Sequence, residues 1–215
     1  MIAASQGASG VDFEAHREFL NGYYKWSRPV YDLSRKYYLL GRDRVLRELL
    51  REDWTSLIEI GPGTGRNLAI LHRGRPTAKL GGVEPCDEML QAAQKRLPEA
   101  RFVRGFAEDT AYDALLGTQP DRILFSYCLS MVLDAHQALE KAWDALAPGG
   151  QIVVVDFGDQ GGMPGLAGDA LRVWLKWFHV HPLDPRILEA HGATVVWGPA
   201  RYYVVGRIFK ARADA

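Results

Sequence analysis

One stretch limits what this chain can become: Leu57-Ile58-Glu59-Ile60-Gly61-Pro62-Gly63-Thr64-Gly65-Arg66-Asn67. An apolar run enters it, an acid stands two residues ahead of the first glycine, and the glycines are spaced G-x-G-x-G. The following Arg66-Asn67-Leu68-Ala69-Ile70-Leu71 reads as a helix. Strand, glycine turn, helix is the layout of a nucleotide-binding crossover. Glycines weaken strands and helices, so three together point to a sharp turn that lies close to a ligand. The helix N-terminus that follows presents unpaired N–H groups to an anion. A dinucleotide fingerprint would need its third glycine at position 66, where Arg66 stands, and this argues against an NAD-dependent oxidoreductase.

With 215 residues the chain is long enough for one sizeable α/β domain with a buried core. Lys+Arg and Asp+Glu both number 26, and this balance gives no reason to expect a nucleic-acid partner. The two cysteines, Cys86 and Cys128, form neither a disulfide framework nor a metal set, so no metal is expected and a reducing compartment suits them. No apolar run approaches the ~18 residues of a spanning helix. The first ten residues lack the basic and apolar regions of a signal peptide, so a cytoplasmic protein, soluble or peripherally bound, is expected.

Residues 1–12 read as a disordered tail and 13–215 as a single domain. Residues 13–51 are helical in pattern and form a roof rich in Arg, Lys, Tyr and Trp. That composition suits either a helix at a lipid headgroup surface or an aromatic cover over the sheet with solvated cations. A second strand, 78–83, ends in Glu84-Pro85, with Glu84 placed to accept from ribose hydroxyls. A helix from Asp87, a third strand over 101–105, a helix over 110–116, a fourth strand from Asp121 and a helix over 135–146 follow. Ser126 to Met131 leave the sheet at the carboxyl ends of the strands, where ligands bind in open parallel sheets. Strand five is 151–156, and a final hairpin pairs 194–197 with 202–209. Between them, 158–185 reads as an insertion. Its Gly158–Gly168 part is mobile, and its helix 171–180 is either a lid over an apolar substrate or a core helix.

The acid with G-x-G-x-G resembles motif I of the class I S-adenosylmethionine-dependent methyltransferases. The resemblance implies an α/β, Rossmann-like, seven-stranded and mostly parallel sheet with an antiparallel last strand, here under the N-terminal helical roof. It implies S-adenosyl-L-methionine as cofactor and S-adenosyl-L-homocysteine as product. In its terms Glu59 binds the amino-acid end of the cofactor, directly or by water, Gly61, Gly63 and Gly65 admit the rest, Asn67 and Ser126 are further cofactor contacts, and Glu84 and Pro85 lie at the ribose. Met89 either packs on the adenine or belongs to the core. Ala107 offers its N–H to the base, and Glu108 accepts from the exocyclic amine; alternatively Glu108 or Asp109 caps the helix over 110–116.

A narrower resemblance is carried by Tyr31-Asp32-Leu33-Ser34-Arg35-Lys36-Tyr37-Tyr38-Leu39-Leu40-Gly41-Arg42-Asp43, by Phe125-Ser126-Tyr127-Cys128-Leu129-Ser130-Met131, and by Trp174-Leu175-Lys176-Trp177-Phe178-His179-Val180. Together they look like the diacylglyceryl-homoserine N-methyltransferases, which make a betaine lipid. The likeness covers most of residues 23–210; Pro62 departs from the Cys or Ala common in such loops, and 181–186 looks slightly longer than the family's turn. This resemblance implies successive methylation of one nitrogen of a lipid held at the inner membrane face. Tyr127 and Tyr31 are then candidates to relay the amine's proton. Arg35 and Arg42 are candidates for the homoserine carboxylate, although Arg42 or Arg44 could equally serve the carboxylate of the cofactor. Tyr24, Trp174 and His179 complete the candidate substrate contacts. A soluble amine or quinone-like acceptor is the alternative.

Overall fold

The computed structural model describes residues 39–163, 165, 168–169 and 182–212. Tyr24, Tyr31, Arg35, Trp174 and His179, most of the roof and most of the insertion lie outside the described residues. The elements run α1 (Arg42–Arg51), β1 (Ser56–Ile60), α2 (Arg66–Gly74), β2 (Lys79–Glu84), α3 (Asp87–Arg96), β3 (Arg101–Arg104), α4 (Tyr112–Leu116), β4 (Arg122–Ser126), α5 (Ala135–Ala145), β5 (Gln151–Phe157), α6 (Pro185–Ala190), β6 (Thr194–Trp197) and β7 (Tyr203–Phe209). The seven strands form one sheet in the order β3-β2-β1-β4-β5-β7-β6. β1 to β5 pair in parallel, and β7 runs antiparallel to both β5 and β6. The order reverses between β1 and β4, which opens a crevice at their carboxyl ends.

Helices cover both faces, so the central strands are apolar on both sides. Leu57, Leu124, Val153 and Val155 pack on one face with Val45, Leu46 and Leu49 of α1 and Leu68 and Leu71 of α2. Ile58, Ile60, Ile123, Phe125, Ile152 and Val154 pack on the other with Leu139 and Ala142 of α5. By the same alternation Glu59 shares the face of Leu57, beneath α1 and α2. Each of the α1 side chains, once buried, contributes about 1.5–3 kcal/mol. Arg207 of β7 reaches Glu48 at 3.0 Å and Glu52 at 2.7 Å, and Arg122 of β4 reaches Glu52 at 3.0 Å, so the exposed side of α1 is tied to the sheet as well. These contacts fix where the N-terminus of α1 stands, and its first residue is Arg42.

The sequence boundaries hold to within one or two residues, with two differences. The fourth helix begins at Tyr112, and its N-cap is Ala111 with no side-chain cap, so neither Glu108 nor Asp109 caps it. The short α6 is an addition to the elements expected from sequence. Its signal is present in Asp184-Pro185: the Asp184 side chain accepts from the Arg186 N–H at 3.0 Å, and Pro185 takes the first turn, where its missing donor costs nothing.

At the opposite end of the sheet Asp121 joins β1 to β4. One of its oxygens accepts from the Thr55 N–H at 2.7 Å, the Thr55 hydroxyl at 2.8 Å and the Ser56 N–H at 3.1 Å. Partial burial raises its pKa, but the hydrogen bonds from Thr55 and Ser56 outweigh that and hold the carboxyl below its usual range. The stabilisation is therefore present above the ordinary carboxylate pKa and is lost as the pH falls through the depressed one. We expect Asp121→Ala to cost about 1–3 kcal/mol at pH 7. Urea denaturation should show the gap to wild type narrowing below about pH 4.

Candidate active site

The crevice is built around the turn between β1 and α2. Gly61, Gly63 and Gly65 all have positive φ, at 63°, 56° and 76°. Two of them also have no room for a side chain. A Cβ on Gly61 would sit 2.8 Å from Cys128 Cβ at the exit of β4, and one on Gly65 would sit 3.1 Å from the backbone of Ala93 in α3. Conformation and close approach thus both require glycine here. Cys128 adds a thiol donating to the Ile60 carbonyl at 3.0 Å, and burial pushes that thiol's pKa well up.

Inside the turn lies a small pocket of about 30 Å³, lined by Leu39, Arg42, Glu59, Arg66, Asn67 and Ser126 among others. The Asn67 amide donates to one oxygen of Glu59 at 2.6 Å. The other Glu59 oxygen, the Asn67 carbonyl oxygen and the Ser126 hydroxyl are buried without a hydrogen-bond partner. Three unsatisfied oxygens in one pocket are costly to leave dry. Burial pushes the Glu59 carboxyl up to about 8; Glu84 adds to this, while Asn67, Arg42 and Arg66 pull the other way. Arg66 also pairs with Asp43 at 2.9 Å, closing α1 onto α2 beside the pocket mouth.

The other acids at the strand ends hold backbone. Glu84 accepts from the Gly63 N–H at 2.9 Å and the Cys86 N–H at 3.0 Å, tying the glycine turn to the tip of β2. Pro85 sits between these contacts, half-buried. Glu108, buried next to Ala107, accepts from the Leu133 and Asp134 N–H groups at 3.0 and 3.1 Å. Asp156 of β5 is a site residue that the sequence motifs do not mark. It accepts from the Ser130 hydroxyl and the Ser130 N–H, both at 3.0 Å, and so holds the exit of β4. Met89 is buried with Cys86 against the half-buried Phe106 and Met131, an apolar patch beyond the tips of β2 and β4.

Tyr127 stands directly after the carboxyl end of β4, with its side chain off the strand's course. Strand alternation would send it to the face of Phe125, but its φ of 56° breaks the alternation. Its ring joins Leu39, Val155 and Phe157 in the opposite core, 4.6 Å from the Phe157 ring and edge-on to it. The hydroxyl donates to the Leu40 carbonyl, and burial pushes the phenol well above its ordinary pKa. Tyr127 does not line the pocket around Glu59. Arg42, by contrast, does line it beside Glu59, whereas Arg44 is exposed and paired with Glu48 at 2.8 Å.

The raised pKa of Glu59 has a cost with a definite sign. Between about pH 4.5 and about pH 8 the folded chain holds a proton that the unfolded chain releases, so stability falls as pH rises through that window and levels off above it. A tenfold difference in proton affinity between the two states is worth about 1.4 kcal/mol. Glu59→Gln, which cannot ionise, should raise the melting temperature at pH 9 and leave it nearly unchanged at pH 5, as read by thermal denaturation.

Comparison with known proteins agrees with this geometry. Residues 58–152 match a family model described as a methyltransferase domain. A trans-aconitate 2-methyltransferase of Variovorax paradoxus is 33% identical over 117 residues, which are 53% of this chain and 44% of that relative. The match thus spans less than half the length of that relative. A demethylmenaquinone methyltransferase of Deinococcus radiodurans is 27% identical over 180 residues, 80% of this chain and 72% of the relative. Among solved structures, the plantazolicin methyltransferase BpumL in complex with SAH has a TM-score of 0.68 at 15% identity, covering 93% of this chain and 96% of its own. Sheet order, glycine turn and structural likeness converge on one fold: the Rossmann-like α/β sheet of the class I methyltransferases.

Proposed function

We propose that the chain is an S-adenosylmethionine-dependent N-methyltransferase whose acceptor is the amino group of a diacylglyceryl-homoserine lipid, methylated stepwise to the trimethylated betaine lipid. The observation that carries the cofactor is the set of buried, unpartnered oxygens on Glu59, Asn67 and Ser126. An ammonium brings three N–H donors, and three acceptors with a carboxylate among them suit it. Arg42 and Arg66, at the same pocket, supply positive charge for a carboxylate. The charge order therefore matches the zwitterionic end of an amino acid, and of the two roles open to Arg42 it favours the cofactor's carboxylate. Glu84 and Pro85 then lie toward the ribose, and Met89, Ala107 and the apolar patch toward the base. Glu108 has one oxygen engaged by backbone, which leaves the other for an exocyclic amine.

When bound, S-adenosylmethionine supplies an electrophilic methyl on a sulfonium. The chain's part is to orient and to exclude water, and positioning of this kind is worth on the order of 7–11 kcal/mol. The amine has to be neutral to attack, which costs roughly 4 kcal/mol for an amine of pKa ~10 at pH 7. An apolar site lowers that cost. Tyr31, Tyr24 and His179 are the candidates for the proton, Arg35 for the homoserine carboxylate, and Trp174 for the apolar wall and for cation–π contact with the methylated nitrogen. The acceptor is supported by the resemblance of 31–43, 125–131 and 174–180 to the betaine-lipid enzymes. No described helix is long and apolar enough to cross a membrane, and the proposal has the chain working in the cytoplasm, at the inner membrane surface, with the lipid tails left in the bilayer.

A second reading is favoured by the names of the relatives: a small soluble acid or a quinone as acceptor. Incubation with labelled S-adenosylmethionine and each acceptor in turn separates the two. We expect label in the chloroform-soluble lipid, with one, two and three added methyl groups by mass spectrometry; label only in trans-aconitate or a demethylated quinone would replace the lipid reading. The cofactor half has its own test. Glu59 keeps a proton up to about pH 8 in the free protein, and an ammonium beside it favours the carboxylate. Binding of S-adenosylhomocysteine at pH 7 should then release close to one proton, measurable by calorimetry in two buffers of different ionisation enthalpy. Binding without proton release would count against Glu59 as the ammonium's partner.

A further inference from the structure

We propose that Tyr127 is a positioning residue: by holding the turn Leu39–Gly41 it stands Arg42 over the Glu59 pocket, and so sets affinity for the amino-acid end of the cofactor. This rests on the cofactor reading above and goes beyond it, because Tyr127 itself does not line the pocket.

The contact joins distant parts of the chain. The Tyr127 hydroxyl donates to the carbonyl of Leu40, 87 residues earlier. A non-glycine residue at φ 56° is strained unless its surroundings hold it. Here the backbone N–H of Tyr127 still pairs with the Val155 carbonyl at 2.7 Å, and the ring is gripped by Phe157 at 4.6 Å, so the turn at φ 56° is held on both sides. What the side chain gains by leaving the strand's course is the Leu40 carbonyl.

The turn it grips is held from a second side. Gly41 is the N-cap of α1 with φ 86°, and its carbonyl accepts the first helical bond from the Val45 N–H at 2.9 Å. A Cβ at Gly41 would lie 2.6 Å from the Tyr203 ring, so the turn is pressed onto that ring. Leu39 before it and Arg42 after it both line the pocket. The turn has a hydrogen bond above β4 and an aromatic floor on β7, and α1 is tied to β4 and β7 by Glu52 and Glu48. Arg42 is thus delivered from a fixed point; its charge is felt by both the Glu59 carboxyl and the Tyr127 phenol. Loss of the hydroxyl would free the Leu40 carbonyl and let the turn, and Arg42 with it, move off the pocket.

The test compares two ligands that differ at one end. S-Adenosylhomocysteine carries the amino-acid group; 5′-methylthioadenosine keeps the nucleoside and lacks it. Calorimetry on wild type, Tyr127→Phe, Arg42→Ala and the double variant should show Tyr127→Phe weakening S-adenosylhomocysteine about tenfold and methylthioadenosine less than about twofold. In the Arg42→Ala background the Tyr127→Phe effect on S-adenosylhomocysteine should shrink below about twofold, because the two act as one unit. Gly41→Ala, which pushes the turn off Tyr203 from the other side, should give the same ligand-selective loss. Equal weakening of both ligands, or additive losses in the double variant, would overturn the proposal by making Tyr127 a general packing residue. Wild-type binding of S-adenosylhomocysteine with no change in Tyr127→Phe would overturn it alone; no binding by wild type would overturn the cofactor reading and this proposal together.

Discussion

A carboxyl group is buried at the end of the central strand with one of its two oxygens unpartnered, and the upper rim of the molecule is organised around it. Glu59 stands at 1% exposure on β1, flanked by β2 and β4 and roofed by α1 and α2. Burying a carboxyl in this way is costly unless it keeps its proton or meets a positive partner. Without a ligand the chain takes the first course, and the pKa near 8 records it. The neighbouring groups are arranged for the second: two guanidinium groups at the pocket and two further acceptor oxygens within it. On the proposed reading, the ammonium of a bound amino-acid group is the partner for the Glu59 oxygen left without one.

Other acids at the same edge of the sheet serve a different purpose. Glu84, Glu108 and Asp156 each reach across to a loop that belongs to another strand and accept its backbone N–H groups. Glu84 braces the glycine turn, Glu108 the approach to α5, and Asp156 the exit of β4. Charge-assisted bonds of this kind are stronger than neutral ones, and loops joined to their neighbours can hold a shaped crevice that loops of glycine and polar residues would not hold alone. The rigidity of the crevice comes from these cross-braces, and its chemistry comes from the one acid left partly unsatisfied.

Much of this is legible from local pattern. Period-two and apolar runs mark the strands, the glycine spacing marks the crossover, and Asp87 and Glu88 mark a helix start; these signals depend on residues close in sequence. The glycine turn is readable because a Cβ is excluded there whatever the rest of the chain does. Glu59, Gly61, Gly63, Asn67 and Ser126 therefore gather where their spacing puts them, at one face and one end of the sheet. Asp184-Pro185 carries an equally local signal for α6, but a helix of 6 residues differs little in sequence from a turn.

The sequence alone determined the sheet, the crossover and the acid-bearing turn, since each follows from backbone sterics and burial within a short window. The tertiary structure decided how the polar groups divide their work. Four acids stand near strand ends; the positions of loops 25 or so residues away separate the braces from the one acid left with an unpartnered oxygen. Tyr127 looks like a group at the crevice because it follows the carboxyl end of β4. A single left-handed φ, held by Phe157 and offset by the bond to the Leu40 carbonyl 87 residues distant, turns it into the opposite core. Such choices rest on long-range contacts, and a chain read in order does not show which of its distant carbonyls will be left in need of a donor.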